Sequence, residues 1–136
     1  MIILIAEDNE DHFILTRDAL QEAGLSDNIR WVADGEALMD YLLKNPLPQL
    51  ILLDLNMPRM DGRQALKEIR SHPRLLQIPI VVLTTSKAPD DVLRSYELGA
   101  NSFIKKPLTY DEMVHCMKTL KRYWLEIVEL PKTNRS

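Results

Sequence analysis

The sequence predicts an α/β fold: one parallel sheet of five strands, each followed by a helix, with both faces of the sheet covered. Three observations carry this. Short apolar runs alternate with segments of helical periodicity five times along the 136 residues, the pattern of repeated βα units. The runs are nearly continuous in apolar residues, as in Leu50-Ile51-Leu52-Leu53, which is how a strand buried on both faces reads. Several runs also stop abruptly on polar groups, at the carboxyl ends where open α/β sheets place their ligands. Right-handed crossovers are expected between consecutive strands.

The first strand is expected at 2–6, where Ile2-Ile3-Leu4-Ile5-Ala6 runs straight into Glu7-Asp8, and the first helix at 10–24, closed by Gly24. A second strand at 29–33 meets a helix at 35–44 through Asp34-Gly35. The third strand, 50–54, ends on Asp54, and Met57-Pro58 and Asp61-Gly62 precede a helix at 62–71. The fourth, 79–84, delivers Thr84-Thr85-Ser86; Pro89 suits the first turn of a helix at 89–98 and Gly99 its end. The fifth, 101–104, leads into Lys105-Lys106-Pro107. Thr109 and Glu112 then make a capping-box pattern opening a helix at 110–128, where Met113, Cys116, Met117, Leu120, Trp124 and Ile127 keep helical spacing. No repeat or composition break divides the chain, so one domain is expected over 1–131 with a short polar tail at 132–136.

Composition removes several function classes. Hydrophobic residues make up 46% and charged residues 27%, as in ordinary soluble domains. The formal charge of -3 supplies no basic field for nucleic acid. The apolar run at the N-terminus is too short for a signal peptide, and no run approaches the ~18 residues of a membrane span, so a cytoplasmic protein without membrane contact is expected. The four glycines fall in no phosphate-loop order, which argues against a nucleotide or flavin module. Cys116, on the apolar stripe of the last helix, reads as packing, and His12, His72 and His115 show no metal spacing and read as surface or helix-face residues.

What remains is a set of polar groups at strand ends: Glu7, Asp8, Asp54, the Thr84 hydroxyl and the Lys106 ammonium. Three crowded carboxylates repel one another, and a hard cation with oxygen ligands, Mg²⁺, would relieve them. A lysine point charge opposite could hold anionic oxygens. Each residue taken singly has an ordinary explanation as a cap, a strand end or a surface charge; their convergence does not.

These residues, with the stretch Leu-Leu-Asp-Leu-Asn-Met-Pro-Arg-Met-Asp-Gly around Asp54 and the pair Lys106-Pro107, resemble the five signatures of the receiver domain of two-component response regulators. The resemblance implies the flavodoxin-like, doubly wound order 2-1-3-4-5. Asp61-Gly62-Arg63, Leu83-Thr84-Thr85-Ser86, the stretch Arg94 to Asn101 and the stretch Tyr123 to Pro131 resemble the small stand-alone receivers paired with bacterial phytochrome histidine kinases. By this resemblance Asp54 is the phosphoacceptor for a sensor histidine kinase. Asp8 ligates Mg²⁺ directly and Glu7 through water, with Asp54 and the Asn56 backbone carbonyl completing the protein ligands. Lys106 bridges acid and phosphoryl oxygen, Thr84 donates to the phosphoryl group, Phe103 is the aromatic switch, and Lys106-Pro107 is a cis peptide.

The implied protein is a signalling phosphoacceptor that assists its own phosphotransfer and dephosphorylation, with output delegated to an unknown protein target. An aspartate-nucleophile phosphatase would need an acid two residues after Asp54, where Asn56 stands. The remaining alternative is a non-phosphorylated pseudo-receiver adaptor. Thr85, bulkier than the alanine or glycine usual at that position in the family, and Ser86, which offers no long acid or amide to orient water, imply slow loss of the phosphate. Tyr123, Trp124, Leu125, Ile127, Val128 and Leu130 occupy more than one face of the last helix. That predicts a symmetric homodimer through the fourth helix, fifth strand and fifth helix.

Overall fold

All five strands run parallel, in the order β2-β1-β3-β4-β5. The computed structural model describes residues 2–25, 28–86 and 88–129. Along the chain the elements are β1 (Ile3–Ala6), α1 (Glu10–Glu22), β2 (Ile29–Val32), α2 (Gly35–Lys44), β3 (Leu50–Leu53), α3 (Gly62–Ser71), β4 (Ile80–Thr84), α4 (Pro89–Glu97), β5 (Ser102–Lys105) and α5 (Tyr110–Leu120). Each expected strand and helix is present, and the strand order matches the one the resemblance implied.

Alternation along the strands divides the core in two. Leu4, Ala6, Ile51, Leu53, Ile80 and Val82 pack with Leu38 and Leu42 of α2 and Leu66 and Ile69 of α3. Their neighbours Ile3, Ile5, Leu50, Leu52, Val81 and Leu83 face the opposite way, onto Phe13 and Leu20 of α1 and Met113 and Met117 of α5. Full burial of each such aliphatic side chain is worth roughly 1.5–3 kcal/mol, so the central strands are apolar on both faces because both faces are covered.

Register then delivers the polar ends to one place. Ala6 is paired with Leu53, so Glu7 and Asp54 leave adjacent strands at the same level, and the Asp54 amide donates to the Ala6 carbonyl at 2.9 Å. Thr84 is paired with Lys105, and the Lys106 amide donates to the Thr84 carbonyl at 2.7 Å.

Helix starts are fixed by side chains. Asn9 caps α1, accepting from the His12 amide at 3.1 Å. Asp34 caps α2 through the Ala37 amide at 2.7 Å, the task expected of the Asp34-Gly35 joint. The Thr109 hydroxyl accepts from the Glu112 amide at 3.3 Å. A reciprocal capping box that the sequence reading did not single out opens α3, where Asp61 accepts from the Gln64 amide and the Gln64 side chain from the Asp61 amide. A Cβ on Gly62 would lie 2.3 Å from the Asp54 carbonyl oxygen, so only glycine lets α3 begin against the end of β3.

Two expectations are corrected. The last helix, expected to remain regular to 128, is α-helical to Leu120 and continues as a π-helix over Lys121–Ile127, with the Val128 amide donating to Tyr123 at 2.9 Å. The wider turn leaves Trp124 and Leu125 packed on the α1 side of the core and Tyr123 and Ile127 exposed. It also sets the Lys121 ammonium 3.1 Å from the Ala23 carbonyl, at the C-terminus of a helix with no basic residue in its own last turn. The Lys106-Pro107 peptide, expected cis, is trans: the form an X–Pro bond ordinarily prefers already carries the lysine to the carboxylates. Leu130, Pro131 and the expected tail at 132–136 lie outside the described residues.

Candidate functional site

At the carboxyl edge of the sheet, Glu7, Asp8 and Asp54 each offer an oxygen, all within 4.8 Å of one another. Glu7 and Asp54 are buried and Asp8 is exposed, so the cluster has two walls and an open side. The Asn9 amide donates to Glu7 Oε2 at 3.2 Å, and the Asn56 amide to Asp54 Oδ1 at 3.4 Å. Burial pushes the Glu7 carboxyl up to about 7, against the pull of its bond to Lys106 and with the neighbouring Asp54 charge adding to the rise. An oxygen-only set of three carboxylates suits a small hard divalent cation, and Glu7, Asp8 and Asp54 are the residues that would hold it.

Lys106 closes the site from β5. Its side chain is 2% exposed, and its ammonium bonds Glu7 Oε1 and reaches Asp54 Oδ2 at 3.4 Å. Thr84, from β4, is fully buried, and among the described residues its hydroxyl oxygen is the one buried side-chain polar atom without a hydrogen-bond partner. Buried hydroxyls are normally paired; an unpaired one at the end of the strand whose last carbonyl accepts from the Lys106 amide suits an anionic oxygen arriving from outside. Glu7, Asp8, Asp54 and Lys106, from the ends of β1, β3 and β5, thus meet in one crevice, and Thr84 ends β4 with its carbonyl accepting from the Lys106 amide. Phe103 is half-buried against the α2–α3 side of the core, and its amide donates to the Tyr96 hydroxyl of α4 at 3.1 Å.

Three contributors were missed in the sequence. His12, read as a helix-face residue, places Nδ1 3.2 Å from the Lys106 ammonium nitrogen; its position three residues after the Asn9 cap was the available signal. Trp31 of β2 donates its indole N–H to the Glu7 carbonyl at 2.7 Å, and nothing local announces that. Arg63 of α3 donates to Asp91 of α4 at 2.7 Å, and Asp91 also accepts from the Ser86 hydroxyl, tying the loop after Thr84 to two helices.

Residues 3–118 match the model of the response regulator receiver domain. The chain is 40% identical over 129 residues to the probable methanogenesis regulatory protein FilR2 of Methanothrix harundinacea, covering 91% of this chain and 83% of that protein. It is 38% identical to response regulator Rcp1 of Synechocystis, covering 96% of this chain and 92% of Rcp1. The crystal structure of the Mn²⁺-bound form of Rcp1 resembles it with a TM-score of 0.87, over 96% of this chain and 99% of that one. The phosphorylated cyanobacterial phytochrome response regulator RcpA resembles it with a TM-score of 0.89 at 38% identity, over 96% and 97% of the two chains. Strand order, the crevice at the carboxyl edge and the family match over most of the chain agree: this chain belongs to the response regulator receiver domains of two-component systems.

Proposed function

We propose that Asp54 accepts a phosphoryl group from a sensor histidine kinase, with Mg²⁺ held by Glu7, Asp8, Asp54 and the Asn56 backbone carbonyl. The observation that carries this reading is the carboxylate cluster lying against the buried Lys106 ammonium, with an unpartnered buried threonine hydroxyl at the end of β4. An Asp54 carboxylate oxygen forms a bond to phosphorus as the phosphorus–nitrogen bond of phosphohistidine breaks. The electron pair stays on the imidazole nitrogen, and the product on the receiver is an acyl phosphate. The cation, when bound, supplies positive charge against the loose, anionic transferring group. Lys106 pairs with a phosphoryl oxygen, and Thr84 donates its hydroxyl to another.

Thr84 moving inward opens room for Phe103 and alters the surface of α4, β5 and α5, which is where a protein target reads the state. The Ser86 hydroxyl is engaged by Asp91, so it does not orient water, and Thr85 crowds the approach; the phosphate is held for minutes to hours. Similarity to Rcp1 and to the phytochrome response regulator RcpA supports a phytochrome-type kinase as donor. Exposed Leu93 and Tyr96 of α4, with Tyr123 and Ile127 after α5, support a homodimer through α4, β5 and α5.

Incubation with acetyl phosphate and Mg²⁺ is expected to add one phosphoryl group, detected by intact mass. Asp54→Asn or chelation of Mg²⁺ abolishes it, whereas Lys106→Ala still labels but loses the downstream response. Labelling that persists in Asp54→Asn removes the assignment. No Mg²⁺-dependent labelling of the parent would favour a pseudo-receiver adaptor.

A further inference from the structure

The Lys106 ammonium has three N–H donors and no lone pair, and its side chain is almost entirely shut off from water. Its three acceptors are Glu7 Oε1, Asp54 Oδ2 at 3.4 Å and His12 Nδ1 at 3.2 Å. Because lysine can only donate, Nδ1 must accept, so the ring carries its hydrogen on Nε2. His12 is well placed to be a fixed partner. Its amide is held by Asn9 Oδ1 at 3.1 Å, its carbonyl accepts from the Thr16 hydroxyl at 2.9 Å, and burial followed by the Lys106 charge favours its neutral form.

The three acceptors differ in what a divalent cation does to them. Glu7 and Asp54 belong to the cluster that would bind the cation, so metal and ammonium draw on the same two carboxylates and repel each other. The His12 nitrogen, whose neutral form burial and the Lys106 charge favour, is not one of those carboxylates, although it lies 3.9 Å from Glu7 Oε1. Its bond to the ammonium is the one of the three that does not draw on a carboxylate of the cluster.

We propose that His12 is a positioning residue that anchors the Lys106 ammonium on the α1 side of the crevice, letting a divalent cation enter among the acids while the lysine stays hydrogen-bonded and aimed at Asp54. The proposal rests on the reading of Glu7, Asp8 and Asp54 as a Mg²⁺ site. Removing the neutral acceptor makes the lysine depend on the carboxylates alone, so it opposes the cation more strongly and is left with an unpaired donor once the cation binds.

The test is calorimetric titration of the full chain with Mg²⁺ at about pH 8, where an ordinary imidazole is neutral, with thermal unfolding of the metal-free protein as the check on folding. His12→Val is expected to weaken Mg²⁺ binding about tenfold, the order of leaving one buried donor unpaired. His12→Asn, which restores an acceptor oxygen, is expected to bind within about threefold of the parent on the same reasoning. His12→Leu serves in place of the valine variant if that one does not fold. Binding by His12→Val equal to the parent overturns the proposal while leaving the metal reading intact, and equal weakening in the valine and asparagine variants also overturns it, because the effect is then one of shape. Absence of Mg²⁺ binding by the parent itself overturns the metal reading and this proposal with it.

Discussion

Asp34 performs two tasks with one carboxylate. One oxygen caps α2 through the Ala37 amide, and the other takes the guanidinium of Arg59, whose own backbone is left-handed at φ 62°. The Ala37 hydrogen bond, helped by Arg59, holds the Asp34 carboxyl below its ordinary 3.8 despite the opposing effect of burial. A carboxylate depressed in the folded state contributes stability that is complete above its unfolded value and is lost as pH falls through the lower folded value. Asparagine caps helices about as well as aspartate but does not titrate. Asp34→Asn is therefore expected to be less stable than the parent near neutrality, with the difference shrinking as the pH drops below about 4. Urea unfolding across that range checks it: a difference independent of pH would show that the charge does not matter. The Asp34-Gly35 joint was legible in the sequence because capping is local, whereas the Arg59 partner lies 25 residues away and was not.

At the scale of elements, β2 has no polar residue of its own in the crevice, yet it holds both backbone groups of Glu7. The Glu7 amide donates to Val32 at 3.0 Å, and the Glu7 carbonyl accepts from the Trp31 indole at 2.7 Å. Trp31 also stacks on Phe13 of α1, with ring centroids 4.4 Å apart and planes 4° from parallel. An edge strand is thereby coupled to the first acid of the site. Trp31→Phe keeps an aromatic stack and removes the donor; it is expected to cost about 1 kcal/mol and to speed amide exchange around Asp8 and Asn9. A variant that loses stability with no local change in exchange would place the effect in the stack instead. The π-helical end of α5 is the other element the sequence did not disclose. Its residues keep an apolar stripe compatible with an α-helix, and the wider turn satisfies contacts with α1 that only the assembled core presents.

For the molecule as a whole, the apolar side chains left on the surface include Leu93 and Tyr96 of α4 and Tyr123 and Ile127 of the π-helical segment, the two aliphatic ones about 60% exposed. Trp124 and Leu125, expected to share in an outer face, are instead packed on the core, so the surface available for the proposed dimer is narrower than the sequence suggested. Symmetric two-fold pairing is the commonest arrangement for such a face, and on the proposed switch through Thr84 and Phe103 it is expected to tighten on phosphorylation. Sedimentation of the Mg²⁺-bound chain with and without acetyl phosphate is expected to show a shift toward dimer. A monomer in both states at about 100 μM, far above the ~1 μM of a modest specific interface, rules that pairing out.

The sequence by itself determined the α/β class, the five strands and the identities of Glu7, Asp8, Asp54, Thr84 and Lys106 at their ends. Those features are written in consecutive residues: an apolar run, an abrupt polar stop and a helix with its cap. Which strands are neighbours came from a family resemblance, and contacts between distant residues came only from the tertiary structure. Pairing of Ala6 with Leu53 sets Glu7 beside Asp54; His12 meets Lys106 across 94 residues; Trp31 reaches back to Glu7. No local pattern encodes such contacts. They follow from register and from which helix faces which side of the sheet, and both are decided when the two apolar faces are buried together.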